Sequence, residues 1–244
     1  MIFRARKPQL SYGWPIGILS LEEHIPCPPG TPGNPTTFAF PVVYEIARGV
    51  KADDLADPIR PGGSQAVLAA ARNLVERGAC AVAGNCGLMI VHQRLLADAL
   101  PVPVFMSSLL QLPLLAQMLG ADAKIGVVAS NGRRLSPRHL HAAAAGTDVS
   151  IALASMEGKV HFQAAVAQEG GELDFEKVQA EVVEVVEALV ARERSVRAIL
   201  FECVDLPPYA AAVQRAVGLP VFDIVTLIDS AYHGLVRKGF VGVY

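Results

Sequence analysis

The chain has 244 residues, of which 52% are hydrophobic and 18% are charged, and its 21 basic and 23 acidic side chains leave a net charge of −2. This apolar composition excludes intrinsic disorder, because the chain can bury enough surface to offset the entropy lost on ordering. The lack of a basic excess or a basic block excludes a nucleic-acid binder that relies on bulk charge.

Short apolar runs bounded by Gly or Pro predict strands along the whole chain. They do not alternate with polar residues, which is typical of parallel strands covered on both faces. The predicted strands cover residues 15–21, 79–83, 102–106, 124–129, 149–154, 196–201 and 220–225. Helices are predicted between them, at residues 64–77, 91–99 and 174–194. Alternating strands and helices indicate a parallel α/β architecture.

The longest uncharged stretch, residues 99–121, has the length of a transmembrane helix. It contains Pro101, Pro103 and Pro113, which would break the helical hydrogen bonding that lipid requires. We therefore predict a buried strand, a loop and a helix here. No signal peptide is visible, so we expect a cytoplasmic protein that binds neither membrane nor nucleic acid.

The two halves of the chain look like copies of one unit. Each half opens with an Ile-Gly strand and contains a strand that ends near a cysteine. The spacing from Cys86 to Cys203 equals the spacing from Pro103 to Pro220, as expected for a duplication. We predict two pseudo-symmetric, flavodoxin-like halves with the active site between them. The segments are residues 1–115, residues 116–225, and a closing helix in residues 226–244 that packs back on the N-terminal half.

The four cysteines match no zinc pattern, and in a cytoplasmic chain they are expected to be free thiols. Cys27, between two prolines, is interpreted as incidental, and Cys80, inside an apolar run, as a small buried hydrophobe. Cys86 and Cys203 lie at matched positions, just past a strand and before a helix. Ligands of open parallel sheets bind at that edge, so these two thiols are candidates for chemistry.

Two opposed thiols suit proton transfer at a carbon next to a carboxylate. We expect the helix N-terminus after each thiol to lower its pKa. One thiolate then removes a proton and the opposite thiol returns one to the other face, which inverts the carbon. Because backbone N–H groups can stabilise the charge that develops, no cofactor and no metal are expected.

The segments around both cysteines resemble the aspartate/glutamate racemase superfamily, which includes amino-acid and hydantoin racemases, arylmalonate decarboxylases and maleate isomerases. Residues 201–208, Phe-Glu-Cys-Val-Asp-Leu-Pro-Pro, are similar to its Leu-Glu-Cys-Thr motif, and residues 83–87 to its first cysteine loop. Val204 replaces the family's usual Thr, and the proline-rich loop at residues 22–37 is long. Glu202 is expected to point to the opposite side of its strand from Cys203.

The resemblance implies a cofactor-independent racemase or epimerase, an isomerase acting on a small carboxylate such as an amino acid or its derivative. Homodimerisation is also expected. An arylmalonate-type decarboxylase, a maleate-type cis–trans isomerase and a non-catalytic carboxylate-binding protein remain open as alternatives. Cys86 and Cys203 are the implied catalytic thiols. The implied substrate-binding residues are Asn85, Gly87, Ser130, Asn131, Val204 and Asp205.

Overall fold

A computed structural model describes residues 11–56 and 63–242, together with Ile2 and Gln9. Four parallel strands form the first sheet: β1 (Ile16–Leu21), β2 (Val42–Ala47), β3 (Val82–Gly84) and β4 (Val104–Phe105). Four more form the second: β5 (Lys124–Ala129), β6 (Ile151–Ser155), β7 (Val196–Phe201) and β8 (Val221–Phe222). The strand orders are β2-β1-β3-β4 and β6-β5-β7-β8, so the second half repeats the topology of the first.

Helices flank both sheets. The first half contains α1 (Ala52–Leu55), α2 (Gly63–Glu76), α3 (Gln93–Ala99) and α4 (Leu112–Met118). The second contains α5 (Pro137–Ala144), α6 (Val160–Phe162), α7 (Phe175–Arg192), α8 (Ala210–Val217) and α9 (Ile224–Leu235). Short 3-10 helices at Pro35–Thr37, Gly87–His92, Ser108–Gln111 and Pro207–Tyr209 complete the set, with a π-helical turn at Gln163–Ala167. The predicted α/β fold class is confirmed.

Equivalent glycines let a helix approach the first strand of each half. A Cβ on Gly17 of β1 would lie 3.1 Å from Leu74 of α2, and a Cβ on Gly126 of β5 would lie 2.9 Å from Leu189 of α7. Both distances are shorter than ordinary side-chain contacts, so a larger residue would push the helix off the sheet. The same close approach thus recurs at the same place in both halves.

Strands β5 and β7 have their predicted bounds, and the other strands differ from the prediction. Strands β1, β4 and β6 differ by one or two residues at their ends, and β2, β3 and β8 differ for clear physical reasons. Strand β2 was not predicted, because it is an edge strand with exposed and polar positions rather than a continuous apolar run. Strand β3 begins late, since the N–H of Ala79 still bonds to the carbonyl of Leu74 at the end of α2. Strand β8 ends early because Asp223 caps α9, its side chain accepting a hydrogen bond from the N–H of Thr226 at 2.8 Å.

Helix α9 packs on the sheet of the first half. Its Ile224 and Ile228 are buried in one cluster with Ile16 and Ile18 of β1. The ring of Tyr232, one turn further on, stacks on Phe40 with a centroid distance of 3.8 Å. Burial of these side chains stabilises the packing of α9, which follows the last strand of the second half, against the sheet of the first half.

Residues 99–121 form strand β4, a connecting 3-10 helix and helix α4. Across the described part of the chain, no helix combines the length and the apolar character needed to cross a membrane.

Candidate active site

Cys86 and Cys203 occupy equivalent positions in the two halves. Strand β3 ends at Gly84 and strand β7 ends at Phe201, so each cysteine is the second residue after its strand. Each precedes a short 3-10 helix at the carboxyl edge of its sheet. The duplicated topology therefore places one thiol from each half at the boundary between them.

The two cysteine loops touch. A Cβ on Gly87 would lie only 2.1 Å from Oε1 of Glu202 and 2.3 Å from the Glu202 carbonyl oxygen. Only glycine fits at this point, because a side chain would overlap the neighbouring backbone. The hydroxyl of Ser108 in the first half also donates to the carbonyl of Phe201 in the second, at 2.7 Å.

A cavity of about 460 Å³ opens between the loops, within the usual range for small-molecule sites. The structure brings together the whole set of residues predicted for the site: Asn85, Cys86, Gly87, Ser130, Asn131, Cys203, Val204 and Asp205 line this cavity. Both halves contribute to its wall.

Two carboxylates that the sequence analysis did not assign also line the cavity, Glu23 and Glu202. The expectation that Glu202 points away from the site is wrong, because Glu202 lines the cavity and its Oε1 lies next to Gly87 of the first cysteine loop. Glu23 follows β1 at the same distance as Cys86 follows β3, which is the signal that would have identified it. Asn131 holds the corresponding position after β5.

Burial raises the pKa of both Cys86 and Cys203 well above the ordinary thiol value. Nearby carboxylates, including Glu202 and Asp205, raise it further. The backbone N–H two residues beyond each cysteine, of Leu88 or Asp205, acts in the opposite direction but is outweighed. The expected lowering of the thiol pKa is therefore wrong, because desolvation dominates over the donors at the helix start.

The carboxylates of the cavity are also hard to ionise. Burial raises the pKa of Glu202 to about 7, with a further contribution from the charge of Asp205. Burial raises the pKa of Asp205 to about 6 and the pKa of Glu23 above its usual range. The thiol of Cys203 donates a hydrogen bond to Oδ2 of Asp205 at 3.5 Å, which gives its proton an acceptor.

The other two cysteines are unlike the central pair. Cys80 is exposed, so its interpretation as a buried hydrophobe is wrong, and it does not belong to the cavity lining. Its N–H bonds to the carbonyl of Trp14 in the turn before β3, which leaves the side chain in solvent. Cys27 belongs to the proline-rich loop and lines the cavity.

The proline-rich loop at residues 22–37 covers one side of the cavity. Gly30, at φ +106°, packs its Cα side against Pro208, where an added Cβ would lie 2.9 Å from the proline Cα. Asn34 caps the Pro35–Thr37 helix, its side chain accepting a hydrogen bond from the Thr36 N–H at 3.0 Å. The loop is thus an ordered wall that contacts the segment following Cys203.

Two ion pairs cross from one half to the other at the cavity mouth, and we call them the rim pairs. Nζ of Lys51 lies 2.7 Å from Oε1 of Glu169, and Arg134 pairs with Asp53. Glu169 also accepts a hydrogen bond from the N–H of His24 at 2.9 Å. Glu169 has a positive φ of 50°, an uncommon backbone conformation for a residue with a side chain.

A sequence profile described as Asp/Glu/Hydantoin racemase matches residues 42–228. The chain belongs to this racemase family. A solved structure of an arylmalonate decarboxylase mutant superposes with a TM-score of 0.62 at 14% identity, covering 91% of this chain and 93% of that one. At that identity the likeness shows the fold alone.

Two curated relatives of the chain are named as lyases rather than racemases. Dimethylsulfoniopropionate lyase 6 of Emiliania huxleyi (strain CCMP1516) is 32% identical in an alignment of 241 positions that covers 93% of this chain and 61% of the relative. The dimethylsulfoniopropionate lyase of Durusdinium sp. clade D is 31% identical in an alignment of 228 positions that covers 91% of this chain and 75% of that relative. The chain therefore spans about three fifths of the Emiliania protein's length.

These names support an enzyme but contradict a racemase or epimerase, so that prediction is wrong. The curated relatives are not named as decarboxylases, cis–trans isomerases or binding proteins either. Two thiols beside a carboxylate suit any reaction that begins with loss of a proton from the neighbouring carbon. Membership of the family does not determine which of these reactions the chain catalyses.

Proposed function

We propose that the chain is a lyase that eliminates dimethyl sulfide from dimethylsulfoniopropionate and leaves acrylate. The observation that carries the proposal is the 32% identity over 93% of the chain to a protein of that name. The cavity supports it independently, because it combines thiols and carboxylates that can remove a proton. The chain spans 61% of the length of that relative, so the relative's activity is assigned to this chain only as a proposal.

The elimination needs one base and one leaving group. A thiolate takes a proton from the carbon next to the substrate carboxylate, and the electrons of that C–H bond form the carbon–carbon double bond. The bond between the β-carbon and sulfur breaks with its electron pair going to sulfur, which leaves as neutral dimethyl sulfide. Atoms and charge balance: the thiolate becomes a thiol, and acrylate keeps the substrate's carboxylate.

Cys203 is the thiol we assign as the base. Its hydrogen bond to Asp205 provides a nearby group that can take the thiol proton and leave a thiolate. The raised pKa of Cys203 keeps the thiol protonated at neutral pH. A bound sulfonium cation favours the thiolate, because an opposite charge within a few ångströms stabilises the ionised form.

Cys86 has a lesser part in this reaction than in a racemisation. The leaving sulfide departs neutral and needs no proton, so no second acid is required. Cys86 contacts the substrate from the opposite wall, next to the cation-bearing end. The substrate carboxylate is assigned to Ser130 and Asn131 with the backbone N–H of Val204, while Asn85 and Gly87 complete the wall around the reacting carbons.

The test is dimethyl sulfide release, measured by gas chromatography of the headspace after addition of dimethylsulfoniopropionate. We expect turnover by the wild type and a loss in kcat of at least about hundredfold in Cys203→Ser, the scale of general-base catalysis. Cys86→Ser should lose about tenfold or less, because the reaction needs a single base. Cys80→Ser is the matched control, since its thiol lies outside the cavity lining.

Absence of dimethyl sulfide with the folded wild type would contradict the proposed function. Equal losses in Cys203→Ser and Cys86→Ser would leave the lyase in place but overturn the assignment of a single base. Circular dichroism of each variant separates a chemical effect from loss of fold.

A further inference from the structure

Glu202 is a buried carboxylate on which no basic side chain of the described cavity lining acts. The residue is 3% exposed and lines the cavity. Burial and the charge of Asp205 act on its carboxylate, and no hydrogen bond from a described residue offsets them. Its Oε1 lies close to the backbone of Gly87. An ionisable group in such a place is costly unless a partner of opposite charge arrives. Because Glu202 lines the cavity, a ligand in the cavity can supply that partner.

Two more carboxylates reinforce the negative potential around Glu202. The charge of Asp205 raises the pKa of Glu202, and the charge of Glu23 raises the pKa of Asp205, so the three groups lie within each other's field. Glu23 accepts a hydrogen bond from the N–H of Ala52 at 2.8 Å, which fixes its position. The inner end of the cavity therefore has a preorganised negative field.

The basic side chains of the cavity do not neutralise this field at its inner end. Within the described residues, Lys51 and Arg134 are the basic groups that line the cavity, and both belong to the rim pairs. They lower the pKa of Glu23 slightly but do not contribute to that of Glu202 or Asp205. The described cavity lining thus has ion pairs at the rim and, further in, carboxylates without a basic partner at Glu202 and Asp205.

Apolar and aromatic side chains line the same cavity. Ile25, Tyr44, Ile46 and Val166 are among its wall residues. A methylated cation has no N–H groups and therefore needs no hydrogen-bond acceptors around it. Its positive charge favours negative potential and its methyl groups favour apolar contacts, and this cavity provides both. A second carboxylate on the ligand, as in aspartate or a malonate, would meet repulsion from the interior.

We propose that Glu202, assisted by Asp205 and Glu23, forms a subsite for an organic onium group, so that the cavity binds zwitterions with a methylated sulfonium or quaternary ammonium at one end and a carboxylate at the other. This inference rests on the proposed function and extends it to unreactive ligands. Quaternary ammonium zwitterions of the same length should bind and inhibit.

The test uses two probes that differ only in charge. In 3-(trimethylammonio)propanoate a trimethylammonium group carries the positive charge, and in 4,4-dimethylpentanoate a neutral tert-butyl group replaces it. Isothermal titration calorimetry of the full chain at pH 7.5 gives both dissociation constants. We expect the charged probe to bind at least about tenfold more tightly than the neutral one.

Variants locate the source of that preference. Glu202→Gln should reduce the preference to about twofold or less while leaving the dissociation constant of the neutral probe unchanged, because shape is retained and charge is lost. Glu187→Gln is the matched control, since Glu187 is exposed on α7 and outside the cavity lining. If Glu202→Gln does not fold by circular dichroism, Asp205→Asn and Glu23→Gln provide the same comparison.

Equal binding of the two probes, or a charge preference that survives in all three carboxylate variants, would overturn the subsite. Binding of these probes requires no turnover, so the result is separate from the release of dimethyl sulfide. Charge-selective binding without turnover would retain the onium subsite and reject the lyase. Turnover without charge-selective binding would retain the lyase and reject the onium subsite.

Discussion

The thiol of Cys203 is surrounded by groups that keep its proton in place. Burial is the largest of these influences, and the carboxylates of Asp205 and Glu202 add to it. A thiol in this setting is inert until a cation enters or an acceptor takes the proton. In this account the substrate supplies the cation and Asp205 the acceptor, so ionisation is coupled to binding.

The raised pKa of Cys203 predicts a strong pH dependence. A group whose pKa lies well above 9 is almost wholly protonated at pH 7, and its ionised fraction rises about tenfold per pH unit below that pKa. We expect kcat/KM, which reports the free enzyme, to rise steadily from pH 7 to pH 9. Glu202, with a pKa of about 7, and Asp205, with a pKa of about 6, steepen the rise below pH 7 as they ionise.

Steady-state kinetics with the substrate across this range checks the prediction. Asp205→Asn, which removes the closest negative charge, should shift the rise towards lower pH while reducing the maximal rate. A profile that is flat between pH 7 and pH 9 would show that no thiol with a raised pKa acts as the base.

At the scale of elements, the site depends on the contact between the two cysteine loops. Gly87 allows this contact, since an added Cβ would overlap Glu202. We predict that Gly87→Ala lowers the free energy of unfolding by about 1–3 kcal/mol, the usual cost of overpacking, and reduces activity beyond that loss of stability. The activity is expected to fall because the added methyl group would push the two cysteine loops apart and so move Glu202 away from Cys86.

Urea denaturation and kinetics on the same preparations measure both effects. Gly120→Ala serves as the control, because a Cβ there meets nothing within 4 Å. It should change the unfolding free energy by less than about 0.5 kcal/mol. Wild-type stability and activity in Gly87→Ala would mean that the loops do not need this close approach.

Strands were predictable from the sequence where burial alone determined which residues are apolar. Strands β5 and β7 have their predicted limits, because their apolar runs are buried on both faces. Strand β2 was missed, since an edge strand contacts solvent and its composition is mixed. Strand β8 ends early because the side chain of Asp223 caps α9. Capping by a side chain competes with strand pairing, and an apolar sequence pattern does not reveal which of the two forms.

For the whole molecule, duplication explains why the site residues could be predicted. The second residue after β1, β3, β5 and β7 is Glu23, Cys86, Asn131 and Cys203 respectively, and all four line the cavity. The matched spacing of the cysteines revealed half of this pattern. Glu23 and Glu202 were not predicted, because proton transfer by two thiols to a carboxylate substrate requires no further acidic side chains in the site. The expected homodimer and cytoplasmic location stay predictions.

The rim pairs join the two halves across the cavity mouth, so they should affect binding more than folding. Glu169→Gln removes the pair with Lys51, and we expect KM to rise about threefold or more, with little change in thermal stability because the pair is exposed. High salt should weaken substrate binding to the wild type and have less effect on the variant. Glu193→Gln, which breaks the Lys124–Glu193 pair within the second half, is the control.

Initial rates at several substrate and salt concentrations measure this effect. A KM unchanged or lowered in Glu169→Gln would show that the Lys51–Glu169 pair does not contribute to substrate binding.

The central claim is an elimination at a carbon next to a carboxylate. Proton NMR of the purified chain with dimethylsulfoniopropionate tests it most directly, because the vinyl protons of acrylate and the methyl protons of dimethyl sulfide appear in the same spectrum. The account predicts equimolar acrylate and dimethyl sulfide from the wild type and neither from Cys203→Ser. Unchanged substrate after many equivalents of folded protein, or exchange of the α-protons in deuterium oxide without release of sulfide, would contradict it.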